Sequence, residues 1–275
     1  MEAVLSQAAS VLVDGHVHFY SCFDPALFLQ SAVDNFARHG SPGVQCALCL
    51  SESAPDFWFE ALMEKLDQEL TPGWWVTATA ESNSLMLTRR DQSTPAQLLI
   101  IAGHQVVSSE DLEVLTIGVR EKLADGASTQ ALVTDTLARG GMPVLPWGFG
   151  KWLGQRGQVV ADLVDQFGDA LLLGDNGGRL RFGARPKLLE KVLERGQDLF
   201  SGSDPLPMSG QEQRVGSFGV ALPAPLDPMR PFQSLQQQLT ADSESTTGGY
   251  GTLEAPAAFA WNQLVMQWRK RIRHD

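Results

Sequence analysis

VDGHVHFY, residues 13–20, closes an apolar run and sets two histidines one residue apart in a chain that has only five. Read as the end of a strand, the stretch turns His16 and His18 to one face, about 6–7 Å apart along the backbone. Two neutral imidazoles converging in this way suit a divalent ion such as zinc, manganese or iron. The alternative is a hydrogen-bonded structural pair. The strand reading also decides the fold class, because the rest of the chain repeats its rhythm.

Short apolar runs recur at residues 10–15, 43–50, 74–80, 85–90, 98–107, 112–118, 142–148, 170–176 and 197–204. Amphipathic stretches at about 24–38, 55–69, 128–139, 157–167 and 186–195 predict helices between them. Strands alternating with helices predict an α/β architecture. Asp24-Pro25 and Arg38-His39-Gly40 supply start and stop signals for the first helix. Residues 71–90 read as consecutive strands, and the polar turn SSED between 98–107 and 112–118 predicts a hairpin or a sharply bent pair.

Beyond residue 225 the composition shifts to Pro, Gln, Ser, Thr and Gly, so residues 1–225 are expected to form the main domain and 226–275 an extension. Within the extension, 234–251 reads as a flexible polar linker and 254–273 as an amphipathic helix docked on the main domain. Phe259, Leu264, Val265 and Trp268 share its apolar face, and Arg269, Lys270, Arg271 and Arg273 suit its C-terminus. A protein partner binding through this helix is the other reading.

With 275 residues and a net charge of −11, the chain lacks the overall basic face that nucleic acid or an anionic membrane requires. No run approaches the length of a transmembrane helix. Three cysteines, Cys22, Cys46 and Cys49, make no disulfide framework, which points to a reducing, cytoplasmic setting.

Chemistry is expected at the strand ends. In SGSDPLP the carboxylate of Asp204 emerges after a Gly-Ser step, where it serves a metal site or caps a helix starting at Pro205. His104 and Gln105 alternate on a strand, so one of them faces the site. The glycine-rich stretches WGFGKWLGQRG (147–157) and DNGGRLRFGAR (175–185) concentrate Lys151, Arg156, Arg179, Arg181 and Arg185. With Asp175, Asn176 and Trp147 they predict a pocket for a small anion, a phosphate or a carboxylate. Solvated arginines on glycine turns are the plainer reading.

The succession DGHVH, AGHQVVSSEDLEVLTIG, PVLPWG, GSD and VGSFG resembles the PHP (polymerase and histidinol phosphatase) family of metal-dependent phosphoesterases, over residues 11–219. More loosely it is similar to the amidohydrolases. The resemblance implies a distorted (β/α)7, TIM-like barrel with metals at its C-terminal rim. It places Gln105 where the family has a bridging glutamate, and Pro205-Leu206 where it has a histidine. Only a reduced, mononuclear site is implied, with His16, His18 and Asp204 as ligands and Gln105 or His104 completing the set. In such a phosphoesterase-like hydrolase Asp204 also orients or deprotonates water, while Lys151 and Arg179 offset developing charge. An inactive, ligand-binding relative and a C–N or ester hydrolase are the alternatives.

Overall fold

The structure, a computed structural model, describes residues 9–91, 96–182, 184–240 and 248–272. Its first strand, β1 (Val11–Val17), is buried along its whole length. It is followed by α1 (Pro25–His39), β2 (Gln45–Leu50) and α2 (Trp58–Met63). Next come β3 (Glu69–Thr71), β4 (Trp74–Ala78), β5 (Ser84–Arg89), β6 (Gln97–Ile101), β7 (Gln105–Val107) and β8 (Glu113–Ile117). Then follow α3 (Thr129–Ala138), β9 (Met142–Pro146), α4 (Gln155–Phe167), β10 (Leu172–Gly174) and α5 (Lys187–Glu194). The last elements are β11 (Phe218–Leu222), α6 (Pro231–Thr240), β12 (Gly248–Gly251) and α7 (Pro256–Ile272).

The expected barrel, and the family resemblance that carried it, are corrected by the strand pairing. The strands form a mixed eight-stranded sheet, in order β12-β11-β1-β2-β6-β5-β4-β3, and a four-stranded sheet, in order β10-β9-β8-β7. Among the described residues only three of the ten ladders are parallel: β1 with β2, β2 with β6, and β9 with β10. A (β/α)7 barrel requires a helix between successive parallel strands, whereas hairpins here extend the large sheet through β5, β4 and β3. The arrangement is α+β.

Three apolar layers hold the sheets and helices together. Phe28 and Phe36 of α1 and Phe59 of α2 cover one face of the large sheet against Leu48 and Trp74. Between the sheets, Val13, Ala47 and Ile101 meet Leu115, Val144 and Phe200. Outside the small sheet, Val106 and Val114 pack on Leu132, Val160 and Leu189 from α3, α4 and α5. Each fully buried side chain of this size contributes about 1.5–3 kcal/mol.

The local signals for α1 hold: Asp24 Oδ1 accepts from Leu27 N at 2.8 Å, and Gly40 N donates to the Phe36 carbonyl at 2.9 Å. The linker expected at 234–251 is corrected, because 231–240 is a helix and 248–251 pairs with β11. Phe232, Leu235 and Leu239 of α6 enter the inter-sheet core, and the Glu81 carboxylate accepts from Phe232 N and Gln233 N at 2.9 and 2.8 Å. That cap comes from a distant loop, so no local signal announces it. The 241–247 part of the linker and residues 273–275, Arg273 among them, lie outside the described residues, as do the side chains of Trp268, Arg269, Lys270 and Arg271.

In α7 the face turned to the protein carries Phe259, Asn262 and Gln263, while Leu264, expected on that face, is 66% exposed. Among the described residues no helix is long and apolar enough to cross a membrane.

Two irregular seams connect the sheets. At one, Glu52 N donates to the Gly103 carbonyl at 3.0 Å, Gln105 N to Glu52 O at 2.8 Å, and Thr116 N to His104 O at 2.8 Å. At the other, the stretch expected as a strand at 197–204 makes only single bridges, at Leu199 and Gly202, among the described residues. Phe200 N donates to Leu173 O at 2.9 Å and Gly15 N to Ser201 O at 3.0 Å, so this segment lies between β10 and β1.

Candidate metal centre

The second seam carries Asp204 to the histidines. Its N–H donates to the His16 carbonyl at 2.9 Å, and its backbone takes a left-handed φ of 47°. Among the described residues no helix begins at Pro205, so the capping role is excluded. Beneath, the buried Asp14 carboxylate accepts from Ser203 N and Gly216 N, both at 2.8 Å, and from His16 N at 3.3 Å. Asp14 thereby ties β1 to the segment that brings Asp204. Sequence reading missed it, although it stands two residues before His16 on the same strand.

His16 Nε2 lies 3.0 Å from His18 Nε2, 3.1 Å from Gln105 Oε1 and 3.6 Å from Asp204 Oδ1. His18 Nε2 lies 3.5 Å from the same carboxylate oxygen. One ligand atom from each of His16, His18 and Asp204 falls within 4.8 Å of the others. Donors bound about 2.0–2.1 Å from a common ion in tetrahedral array stand about 3.3 Å apart, so these separations fit a first-row divalent ion. The donor set fits as well. Two imidazole nitrogens, a carboxylate oxygen and an amide oxygen converge, and with the ring protons on Nδ1 all four turn lone pairs toward one point.

Electrostatics keep His18 and Asp204 in forms that can bind a cation. Burial, then the neighbouring His16, pushes the His18 pKa down to about 4, against smaller opposing effects from Asp204 and Gln105. The imidazole is therefore neutral at ordinary pH. Burial alone raises the Asp204 carboxyl, but His16, His18, the Asn176 amide and Lys151 together hold it below the usual carboxylate range. Tyr20 stacks on His18, with ring centroids 5.3 Å apart, and covers one side of the centre.

The choice between Gln105 and His104 is resolved by strand alternation. Gln105 faces His16, whereas His104 Nε2 turns away to the Arg120 carbonyl at 2.7 Å. Beside His104 lies Glu52, 2% exposed, whose carboxylate accepts from Phe59 N at 2.8 Å. Burial pushes the Glu52 pKa up to about 7, with the Phe59 and Trp58 N–H groups opposing. An acid with a raised folded pKa contributes its stability fully below the unfolded value and loses it as pH rises through the folded one. Between pH 5 and 8, Glu52→Gln is therefore expected to gain up to about 3 kcal/mol on the wild type. Denaturant unfolding at pH 5, 6.5 and 8 checks this; a difference that does not grow with pH would refute it.

A cavity of about 600 Å³ opens above the ligands, with His18, Gln105 and Asp204 in its floor. Trp147, Lys151 and Asn176 line it. Glu113, Arg214 and Phe259 line it too, none of them anticipated. Lys151 is paired with Glu113 and Arg214 with Glu254, both in very short contacts. The other expected anion ligands are placed differently. Arg156 donates to the Gly150 carbonyl at 3.1 Å, and Arg179 is buried in a bidentate pair with Asp175, at 2.8 and 2.9 Å. Neither Arg156, Arg179 nor Asp175 reaches the cavity wall.

No family model and no curated protein matches this sequence. Among solved structures the chain is similar to the crystal structure of PsfC from Pseudomonas syringae PB-5123, with a TM-score of 0.55 and 18% identity, covering 95% of this chain and 98% of that one. At that identity the likeness is one of fold.

Proposed function

We propose that the protein is a metal-dependent hydrolase of a small molecule. His16, His18 and Asp204 would hold one divalent ion, zinc, manganese or iron, with Gln105 as a neutral further donor. The observation that carries this reading is the convergence of His16, His18 and Asp204 beside a cavity lined by His18, Gln105 and Asp204 and large enough for a small-molecule substrate. When bound, the ion supplies Lewis-acid chemistry, an acidified water and a polarised scissile bond.

The chain's own residues would do the rest. Lys151, held by Glu113 in the cavity wall, presents an ammonium to the charge that develops on the substrate oxygen. Tyr20, Trp147 and Phe259 narrow the cavity and exclude water around the bound substrate. A phosphoester is the first substrate class, since two cations, Lys151 and Arg214, line the site. A carboxylic ester or amide is the second, favoured by the glutamate already paired with each cation.

Two measurements test the reading. Protein purified without chelator is expected to hold close to one equivalent of divalent metal, and His16→Ala less than a tenth of that. The metal-loaded protein is then expected to hydrolyse p-nitrophenyl phosphate or p-nitrophenyl acetate, with Asp204→Asn lowering the rate at least 100-fold and the remote control Gln236→Ala leaving it unchanged. Tight metal binding without turnover of either compound would favour a ligand-binding protein instead.

A further inference from the structure

We propose that Arg179, Asp175 and Asn176 form a positioning relay that makes Asp204 a single-oxygen metal ligand. The inference rests on the metal reading above, and assigns these three residues a role other than substrate binding.

The relay starts from a buried ion pair. Arg179 and Asp175 are only 6% and 5% exposed, and the guanidinium donates through Nε to Asp175 Oδ1 and through Nη2 to Oδ2. A fork-to-fork pair fixes orientation as well as distance. It is held by backbone on both sides: Gly202 N donates to the Asp175 carbonyl at 3.2 Å, Gly177 N to Gly202 O at 2.9 Å, and Arg179 N to Asn176 O at 2.9 Å. The turn between β10 and Arg179 is thus locked against the segment carrying Asp204.

Asn176 stands at the apex of that turn. Its backbone N–H donates to Asp175 Oδ1 at 2.9 Å. Its side-chain oxygen accepts from Gly178 N at 2.7 Å, which fixes the amide flip, because the opposite flip would set an NH2 against that N–H. The amide nitrogen is therefore the end that meets Asp204, and it donates to Oδ2 in a very short contact. Oδ2 is engaged, and Oδ1 is the oxygen left facing both histidine Nε2 atoms.

Two consequences follow for the centre. The carboxylate binds through one oxygen, which suits a small four- to six-coordinate ion and disfavours calcium, whose sites commonly use bidentate carboxylates. With Oδ2 held by the Asn176 amide and Oδ1 turned to both histidines, Asp204 is placed first as a metal ligand.

The test uses the full chain with Zn²⁺ and Co²⁺ alone as probes. Asn176→Ala removes the amide, and Asn176→Leu removes it while keeping its volume. Both variants are expected to bind Zn²⁺ about 10- to 100-fold more weakly in competition with a chromogenic chelator. Their Co²⁺ complexes are expected to show a shifted visible spectrum, as both oxygens of Asp204 become free to bind, while the metal-free proteins keep wild-type circular dichroism. If the wild type binds Zn²⁺ and both variants match its affinity and Co²⁺ spectrum, the relay is overturned and the metal reading stands. Retained affinity in the leucine variant alone would reduce Asn176 to a space-filling role and overturn it too. Loss of fold in both variants would overturn it as well, since the amide would then be holding the turn itself. A wild type that binds neither ion removes the metal reading, and the relay with it.

Discussion

Gly202→Ala is expected to destabilise the protein by roughly 3 kcal/mol or more and to abolish metal uptake. A β-carbon at position 202 would lie 2.1 Å from the backbone nitrogen of His16, 2.5 Å from its Cβ and 2.7 Å from its Cα. No rotamer change relieves a contact with backbone, so the 199–204 segment must move away from β1. That movement stretches the bonds from Gly15 N to Ser201 O and from Asp204 N to His16 O, and it separates Asp204 from the imidazole pair. Gly43→Ala is the control. Its φ of +83° is unfavourable for a side chain, but its β-carbon would meet nothing within 4 Å, so only about 1 kcal/mol of backbone strain is expected. Thermal unfolding and Zn²⁺ competition on the two variants separate the effects. Wild-type Zn²⁺ affinity in Gly202→Ala would show that the close approach is not what assembles the centre.

The glycine in GSD is legible from the sequence only as a turn residue, and its actual use, a close passage of two backbones, is a property of the pairing. The same distinction runs through the fold. Apolar runs located β1, β2, β5 and β9 to within two residues at each end, most plainly β1 and β9, because a strand buried on both faces writes itself as a continuous hydrophobic stretch. The run expected as one strand at 98–107 is instead divided between β6 in the large sheet and β7 in the small one. Which strands pair, and in which direction, depends on partners far along the chain. The hairpin expected across SSED formed as β7-β8, and the consecutive strands expected at 71–90 paired as β4-β5, yet the antiparallel additions that replace the expected barrel were not legible from them. Helix α6 was hidden because its glutamines look like linker and its cap is Glu81.

That the chain brings His16, His18, Gln105 and Asp204 together could be anticipated because each is a ligand-type side chain beside an apolar run. Arg179 was misread from its charge alone. Asp175, four residues earlier, is the partner that buries it, and a count of basic residues does not reveal a pairing. Glu113 was passed over as the opening residue of a strand, although antiparallel register with β7 sets it on the same face as Gln105.

Asp14→Ala is expected to cost about 4 kcal/mol, and Asp14→Asn about 2 kcal/mol. The Asp14 side chain is completely buried, and its two oxygens accept from three backbone N–H groups that have been withdrawn from water. Alanine orphans the N–H groups of Ser203 and Gly216 and leaves a cavity where the carboxylate stood. Asparagine keeps one acceptor oxygen and turns an NH2 toward the other donor, so one of the two strong bonds becomes a repulsive contact. The wild-type carboxylate is itself costly to bury, and its pKa is pushed up to about 6 by burial, although the Ser203, Gly216 and His16 donors oppose the rise. A neutral asparagine avoids that charge. By the linkage sign, the raised folded pKa makes wild-type stability fall as pH climbs through about 6, so the deficit of Asp14→Asn is expected to be largest at pH 5 and to shrink by pH 8. Urea unfolding of both variants at the two pH values measures it. Equal losses for alanine and asparagine would mean that Asp14 acts through packing, and would detach the positioning of His16 and Asp204 from the three hydrogen bonds assigned to it.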